Sequence, residues 1–345
     1  MCPKCTRLYL FEIKNDKIAL TLQPMNATDI LITAAQIIGG FIFLFFGGDW
    51  LVDGGVALAR RFRISTLVVG MTIVAFGTSA PELLVSLVSA IKGSSGIAMG
   101  NVIGSNIVNI ALILGLTAII CPIETDNRKV VTNGTVMILA SGMLILFSLH
   151  SGISRPEGLM LFASLILFTI LSIRKGKMQK QEAETLELKE GGKKPMPAPR
   201  AIILIAISCV MLAFGADILV DGATMLAKAM EVSDKVIGLT IVALGTSLPE
   251  LAASVAAAIR KEMDISIGNI IGSNIFNILC VLGVSTSIKP ISFEYGDYMY
   301  DLIWMLGFSV FIILFTSLRK KKGRLGRTAG ILFLLAYAVY AWSLF

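Results

Sequence analysis

The chain has 345 residues, of which 55% are hydrophobic and 15% charged, with only 5 Cys. Soluble domains are about 45–50% apolar and about 25% charged, so the composition excludes a typical soluble enzyme, a disordered chain and a disulfide scaffold. It indicates an all-α integral membrane protein with several spans. The net charge of +7 sits in short segments between apolar runs, which fits membrane orientation rather than a nucleic-acid partner.

Residues 1–29 form a polar leader of unassigned role. Within it Leu8–Leu22 alternates around Asn15-Asp16 in the manner of a hairpin, and Cys2 and Cys5 make one C-x-x-C pair. A structural zinc site needs four ligands, and no second pair follows. Ten apolar runs come next, at about 30–59, 66–91, 97–120, 130–149, 157–173, 201–227, 235–259, 265–288, 299–318 and 328–345. A span needs about 20 residues, so these runs predict ten transmembrane helices, with the first and sixth long enough to tilt. Residues 30–173 make one five-helix half, 174–200 a charged linker ending in Pro195-Met196-Pro197-Ala198-Pro199, and 201–345 the second half. On alternate sides of the spans lie 21 and 5 Lys and Arg, with 4 more in the leader. The richer side is predicted to be cytoplasmic, which places the linker there and both termini outside.

The segment Gly47–Ile123 matches Gly215–Ile291 without a gap at a constant offset of 168, with about half the positions identical. The best-matched stretches are Gly70–Glu82 with Gly238–Glu250 and Gly100–Asn109 with Gly268–Asn277. Five spans separate the equivalent helices, so they cross in opposite directions. The prediction is an inverted-topology repeat, whose substrate site lies near the midplane where the repeats meet.

Glu82 and Glu250 fall in the middle of apolar runs, where an ionised carboxylate costs several kcal/mol without a partner or a watery cavity. Pro81 and Pro249 precede them. Each proline frees the carbonyl four residues back, at Gly77 and Gly245, and the kink is expected to release Ala75 and Ala243 too. Thr78, Ser79, Thr246 and Ser247 add hydroxyl oxygens. Ser105 with Asn109, and Ser273 with Asn277, share a helix face at i, i+4, and Asn101 and Asn269 repeat that face one turn earlier. Gly100, Gly104, Gly268 and Gly272 permit close helix approach. This set is all hard oxygen, which suits Na⁺ or Ca²⁺, and many protein oxygens suit Ca²⁺ better than Mg²⁺. Two carboxylates neutralise one Ca²⁺ or two Na⁺, so competition for shared oxygens gives a cation antiporter. Asp49, Asp53, Asp217 and Asp221 also repeat, and are expected to line an ion path or cap kinks near Gly47-Gly48 and Gly215. No nucleophile–base pair, phosphate loop or cofactor fingerprint is present, so neither an enzyme nor a cofactor is expected.

The doubled G-T-S-x-P-E and G-N-x-x-G-S-N-x-x-N motifs resemble the alpha repeats of the sodium/calcium exchanger family, over essentially residues 30–345. The resemblance implies ten helices in two inverted five-helix halves and alternating access by sliding of the first and sixth helices. It also implies Glu82 and Glu250 as shared carboxylate ligands. Around them would stand Thr78, Ser79, Thr246, Ser247, Ser105 and Ser273, with Ala75 and Ala243 offering carbonyls to Na⁺. Some relatives carry Asp where this chain has Asn277, the counterpart of Asn109, and that Asp accompanies potassium dependence; Asn277 leans towards potassium independence. Proton-coupled relatives carry Glu where this chain has Ser105 and Ser273. The expectation is a minimal prokaryotic Na⁺/Ca²⁺ antiporter of the cell membrane, working as a monomer, with Ca²⁺ and Na⁺ as transported ions and the lipid bilayer as partner. A Ca²⁺/H⁺ antiporter is the nearest alternative and a passive cation channel a more distant one.

Overall fold

The structure, a computed structural model, describes residues 26–150, 152–176, 196–230, 232, 243–294, 296–317 and 323–344. The Cys2–Cys5 pair, the Leu8–Leu22 hairpin and most of the 174–200 linker lie outside the described residues.

Helix α1 runs over Ala27–Phe62. Its start is fixed by a capping box: the Asn26 side chain accepts the Asp29 N–H at 2.9 Å, and the Asp29 carboxylate accepts the Asn26 N–H at 3.3 Å. Together these satisfy two otherwise orphaned donors. It stops at Arg63, which takes a left-handed conformation with φ 53°. Its 36 residues reach about 54 Å at 1.5 Å per residue, well beyond a hydrocarbon core of about 30 Å. There is no break at Gly47-Gly48, so Asp49 and Asp53 cap no kink.

The second apolar run is broken. Helix α2 (Thr66–Thr78) meets α3 (Ala80–Ile91) at 48°. Helices α4 (Ser95–Ile120), α5 (Asn127–Ser148), α6 (Arg155–Lys175) and α7 (Ala198–Ala229) follow. The described part of the seventh run is a helical turn at Ala243–Gly245 and then α8, Leu248–Ile259. Helices α9 (Met263–Ile288), α10 (Met299–Ser317) and α11 (Arg327–Ser343) complete the chain. Every predicted run therefore carries helix where it is described. Among the described residues, seven helices are long and apolar enough to cross a membrane singly, or eight if the bent pair α2–α3 is counted as one span.

Two hydrophobic clusters hold these helices. The larger joins α4, α5, α6, α9, α10 and α11 around Met99, Ile107, Leu144, Ile271, Leu282, Met305 and Phe333. The smaller joins α1 and α7 to α8 and part of α2 through Leu51, Val52, Ile205, Leu212, Ala253 and Ala257. Helices α1 and α7 cross where Gly40 meets Gly215: a Cβ on Gly40 would stand 2.9 Å from the Gly215 carbonyl oxygen. Lipid removes the hydrophobic drive between helices, so backbone approach through small residues takes its place. The same device presses α2 onto α9, where a Cβ on Gly272 would stand 2.5 Å from Met71 Cα.

Two short contacts tie chain ends that are distant in sequence. Strands β1 (Ile123–Thr125) and β2 (Gly323–Leu325) pair antiparallel, with Ile123 opposite Leu325. Ile153 and Ile291 exchange backbone hydrogen bonds of 2.7 and 3.1 Å.

Candidate functional site

Pro81 and Pro249 do not sit in a helix interior. The chain stops its helix at Thr78, passes through Ser79 at φ −86°, ψ 9°, and starts again at Ala80. Pro81 then falls in the first turn of α3, where a missing N–H costs no helix bond. The second repeat does the same: Ser247 has φ −91°, ψ 3°, and Pro249 lies in the first turn of α8. The consequence is electrostatic. Glu82 and Glu250 each land in the first turn of a helix, where the aligned peptide dipoles favour negative charge.

The break also frees a hydroxyl. Ser79 stands at the N-cap of α3 but makes no side-chain cap bond to it. Instead its Oγ donates to Glu250 Oε1 at 2.8 Å, across to the other half of the chain. The Thr78 hydroxyl lies 3.2 Å from Asn269 Oδ1 and 3.5 Å from Ser273 Oγ, again in the other half. Ser247 and Thr246 lie beside the Glu82 carboxyl, as Ser79, Thr78 and Ser273 lie beside that of Glu250. The helix-break residues of both repeats and the two carboxylates are thus brought together.

A supporting layer fixes the two glutamate helices. Asn101 Nδ2 donates to the Glu82 carbonyl at 3.2 Å and to Ser86 Oγ at 2.9 Å. Asn269 Nδ2 donates to the Glu250 carbonyl at 3.3 Å and to Ser254 Oγ at 3.0 Å. Ser86 and Ser254 were not singled out by the motifs. Their signal was there: each lies four residues after its glutamate, on the same helix face, and the pair is identical at the repeat offset.

Glu82, Glu250, Thr78, Ser79, Ser273, Asn109 and Asn277 are all fully buried, and Ser105 and Ser247 nearly so. Neither carboxylate is paired with a cationic side chain among the described residues. Both Glu82 oxygens, Glu250 Oε2, the Ser247 hydroxyl and the whole amides of Asn109 and Asn277 have no hydrogen-bond partner among the described residues. Buried polar groups are normally satisfied, and each exception calls for an explanation. A concentration of unused oxygen lone pairs around two carboxylates has the donor chemistry of a hard cation site. No cluster of three or more His, Cys, Asp or Glu occurs among the described residues, so the charge available comes from two glutamates.

The remaining sequence candidates fall into three groups. Asn109 lies in a π-helical turn, Val108–Ile113, and Asn277 opens another, Asn277–Leu282. Such turns gather at functional sites and re-aim side chains, and nothing in the residue spacing announced them. Ala75 departs from expectation: its carbonyl still accepts the Ser79 N–H at 3.0 Å. Pro81 removes only the donor aimed at Gly77, so the turn before it stays closed. The Thr78 hydroxyl also lies 3.4 Å from the Ala75 carbonyl oxygen, so this carbonyl is engaged within its own helix. In the second repeat the Ser247 N–H turns to the Leu244 carbonyl instead, at 3.1 Å, away from Ala243. The repeated aspartates are outside the site. Asp49 and Asp53 bind the Arg260 guanidinium, and Asp217 and Asp221 are exposed on α7.

Two buried carboxylates ringed by hydroxyls and amides, inside a bundle of membrane-length helices, define a class: an integral membrane cation transporter rather than an enzyme. The comparisons with known proteins narrow this. The family model for "sodium/calcium exchanger protein" matches residues 32–174 and 200–345, and the chain belongs to that family. It is 36% identical over 317 residues to the "putative antiporter CaxA" of Alkalimonas amylolytica, covering 92% of this chain and 99% of that one. It is 30% identical over 345 residues to the "sodium/calcium exchanger MaX1" of Methanosarcina acetivorans, covering 89% and 96%. Among solved structures, the sodium-calcium exchanger NCX_Mj soaked with 10 mM Na⁺ superposes with a TM-score of 0.77 at 34% identity, over 92% of this chain and all of that one. The protein is thus a multi-pass cation exchanger of the cell membrane.

Proposed function

We propose that the protein exchanges Na⁺ for Ca²⁺ across the cell membrane by alternating access. The observation that carries this reading is the pair Glu82 and Glu250, fully buried without a cationic side chain to balance them. Two negative charges suit one Ca²⁺, or Na⁺ ions competing for the same oxygens. Ca²⁺ takes six to eight oxygen ligands, and the hydroxyls of Thr78, Ser79, Thr246, Ser247, Ser105 and Ser273 with the amides of Asn109 and Asn277 supply them. The carbonyls of Ala75 and Ala243 would serve Na⁺ at the flanks. The halves 30–173 and 201–345 act as inverted five-helix repeats, ten spans in all, joined by the linker. The site is completed within one chain, so a monomer suffices.

Sodium coupling is supported by the similarity to MaX1 and NCX_Mj, both named as sodium/calcium exchangers. The test is radioactive Ca²⁺ uptake into Na⁺-loaded proteoliposomes diluted into Na⁺-free buffer. Uptake that needs internal Na⁺ and survives a proton ionophore is expected. Uptake that needs a pH gradient instead would replace Na⁺ by H⁺ in this reading.

A further inference from the structure

Outside the ion site, one group of charges is arranged in a way that the repeat makes informative. Arg260 caps the C-terminus of α8, the helix that begins beside Glu250. Its Nη1 donates to Asp49 Oδ1 at 2.8 Å and to the Asp49 carbonyl at 2.9 Å, while Nη2 donates to Asp53 Oδ1. Asp49 and Asp53 are one turn apart on α1, so a single guanidinium clamps two carboxylates and a carbonyl of that helix. Charge-assisted forked bonds of this kind are the strong ones.

The repeat supplies the counterpart. At an offset of 168, Asp49 and Asp53 become Asp217 and Asp221 on α7, and Arg260 becomes Lys92 at the C-terminus of α3, the Glu82 helix. The same charges are present in the same places. Yet Lys92 makes no ion pair among the described residues, and Lys92, Asp217 and Asp221 are all exposed. One clamp is closed and its twin is open. The contact beside this clamp is made by small residues. Opposite Asp49, Gly48 lies against α8 so closely that a Cβ there would stand 2.9 Å from the Ala252 carbonyl and 3.2 Å from Ala256 Cβ. Small residues present few ridges to lock the two helices in register, so the ion pairs add a directional anchor to the apolar contact between α1 and α8.

We propose that Arg260, Asp49 and Asp53 form a latch that closes one side of the ion pathway by pinning α1 to the glutamate helix α8. In the opposite state Lys92 takes Asp217 and Asp221 and closes the other side, pinning α7 to α3. The two latches exclude each other, because the pair α1–α7 cannot be drawn to both positions at once. With the charge pattern of the loops, the Arg260 latch lies on the cytoplasmic side. The inference rests on the alternating-access reading above and adds the residues that hold its two end states. An arginine on one side and a lysine on the other makes the latches unequal: the fork of Arg260 engages both carboxylates, whereas a lysine is a single point charge.

Disulfide trapping tests this. In a chain whose five native cysteines are replaced by alanine, Asp53→Cys with Arg260→Cys and Lys92→Cys with Asp221→Cys are combined and treated with a mild oxidant. The expected result is that either disulfide forms but the two never occur in the same molecule. Oxidation of the first pair alone should slow Ca²⁺ exchange at least tenfold, with recovery on reduction. Independently, with the native cysteines kept, Arg260→Asp should slow exchange, and adding Asp53→Arg should restore at least half the lost rate. Both disulfides in one molecule, or undiminished exchange with the first pair oxidised, would overturn the latch. If the unmodified chain moved no Ca²⁺ against Na⁺, the proposed function would fail, while the exclusivity of the two disulfides would still decide the latch.

Discussion

Glu82 and Glu250 hold the same place in their repeats, at the first turn of a helix that follows a break at serine, yet their surroundings differ. Glu250 receives the Ser79 hydroxyl at 2.8 Å, while both Glu82 oxygens lack such a hydrogen bond among the described residues. Ser247, the counterpart of Ser79, lies beside the Glu82 carboxyl but makes no close hydrogen bond among the described residues. Near-identical sequence thus produces one braced carboxylate and one open one. The difference teaches that the repeats meet off their symmetric position: the break of the first repeat reaches the second half, and the break of the second does not reach back equally. The unequal latches on α1 and α7 carry the same message at the rim of the molecule.

The comparison can be broken most severely at the carboxylates themselves. Glu82→Gln and Glu250→Gln should each reduce Ca²⁺ exchange in proteoliposomes at least a hundredfold, because each removes half the charge that a Ca²⁺ needs; near-normal flux in either would remove that residue from the site. Next in size is Ser79→Ala. A hydrogen bond to a charged group is worth about 1.5–3 kcal/mol, so apparent Ca²⁺ affinity should fall about tenfold or more. Ser247→Ala, which removes no close bond of this kind among the described residues, should cost less. Equal losses from the two serine variants would mean that the braced and open carboxylates become alike once the ion binds.

Asn277→Asp adds a third acid to the site from the Asn277–Leu282 turn, which packs against the Glu82 helix α3. It should alter the Na⁺ or K⁺ dependence of Ca²⁺ uptake more than it alters thermal stability; an unchanged ion profile would place Asn277 outside the ligand set. The smallest expected effects concern packing. Gly272→Ala forces a Cβ into the Met71 backbone of α2, and overpacking of this kind costs about 1–3 kcal/mol. Gly142→Ala meets nothing within 4 Å and should leave the melting temperature of the detergent-solubilised protein unchanged. Equal melting temperatures for these two variants would contradict the close α2–α9 contact.

Much of this was legible before any coordinates. The gapless repeat exposed the two glutamates, the hydroxyls around them and the asparagine faces, because an ionisable residue in an apolar run is a strong local signal. The apolar runs likewise located the helices to within a few residues. The proline was legible as a break but misread as to place: the chain turns at Ser79, two residues earlier, so the proline opens a helix instead of kinking one. The bonds from Ser79 to Glu250 and from Thr78 to Asn269 join residues 171 and 191 positions apart, and no local pattern encodes such a reach. The pairing of Asp49 and Asp53 with Arg260 was hidden for the same reason. The π-helical turns at Asn109 and Asn277 depend on packing against neighbouring helices, which spacing alone does not reveal.

The central claim is that Glu82 and Glu250 hold one Ca²⁺ together, in competition with Na⁺. It is tested most directly by equilibrium Ca²⁺ binding to the purified protein at increasing Na⁺, with the osmotic and ionic balance kept by a large organic cation. The account predicts one Ca²⁺ per chain, an apparent Kd that rises steeply with Na⁺, and no measurable binding when both glutamates are replaced by glutamine. Ca²⁺ binding indifferent to Na⁺, or retained by the doubly substituted chain, would contradict it.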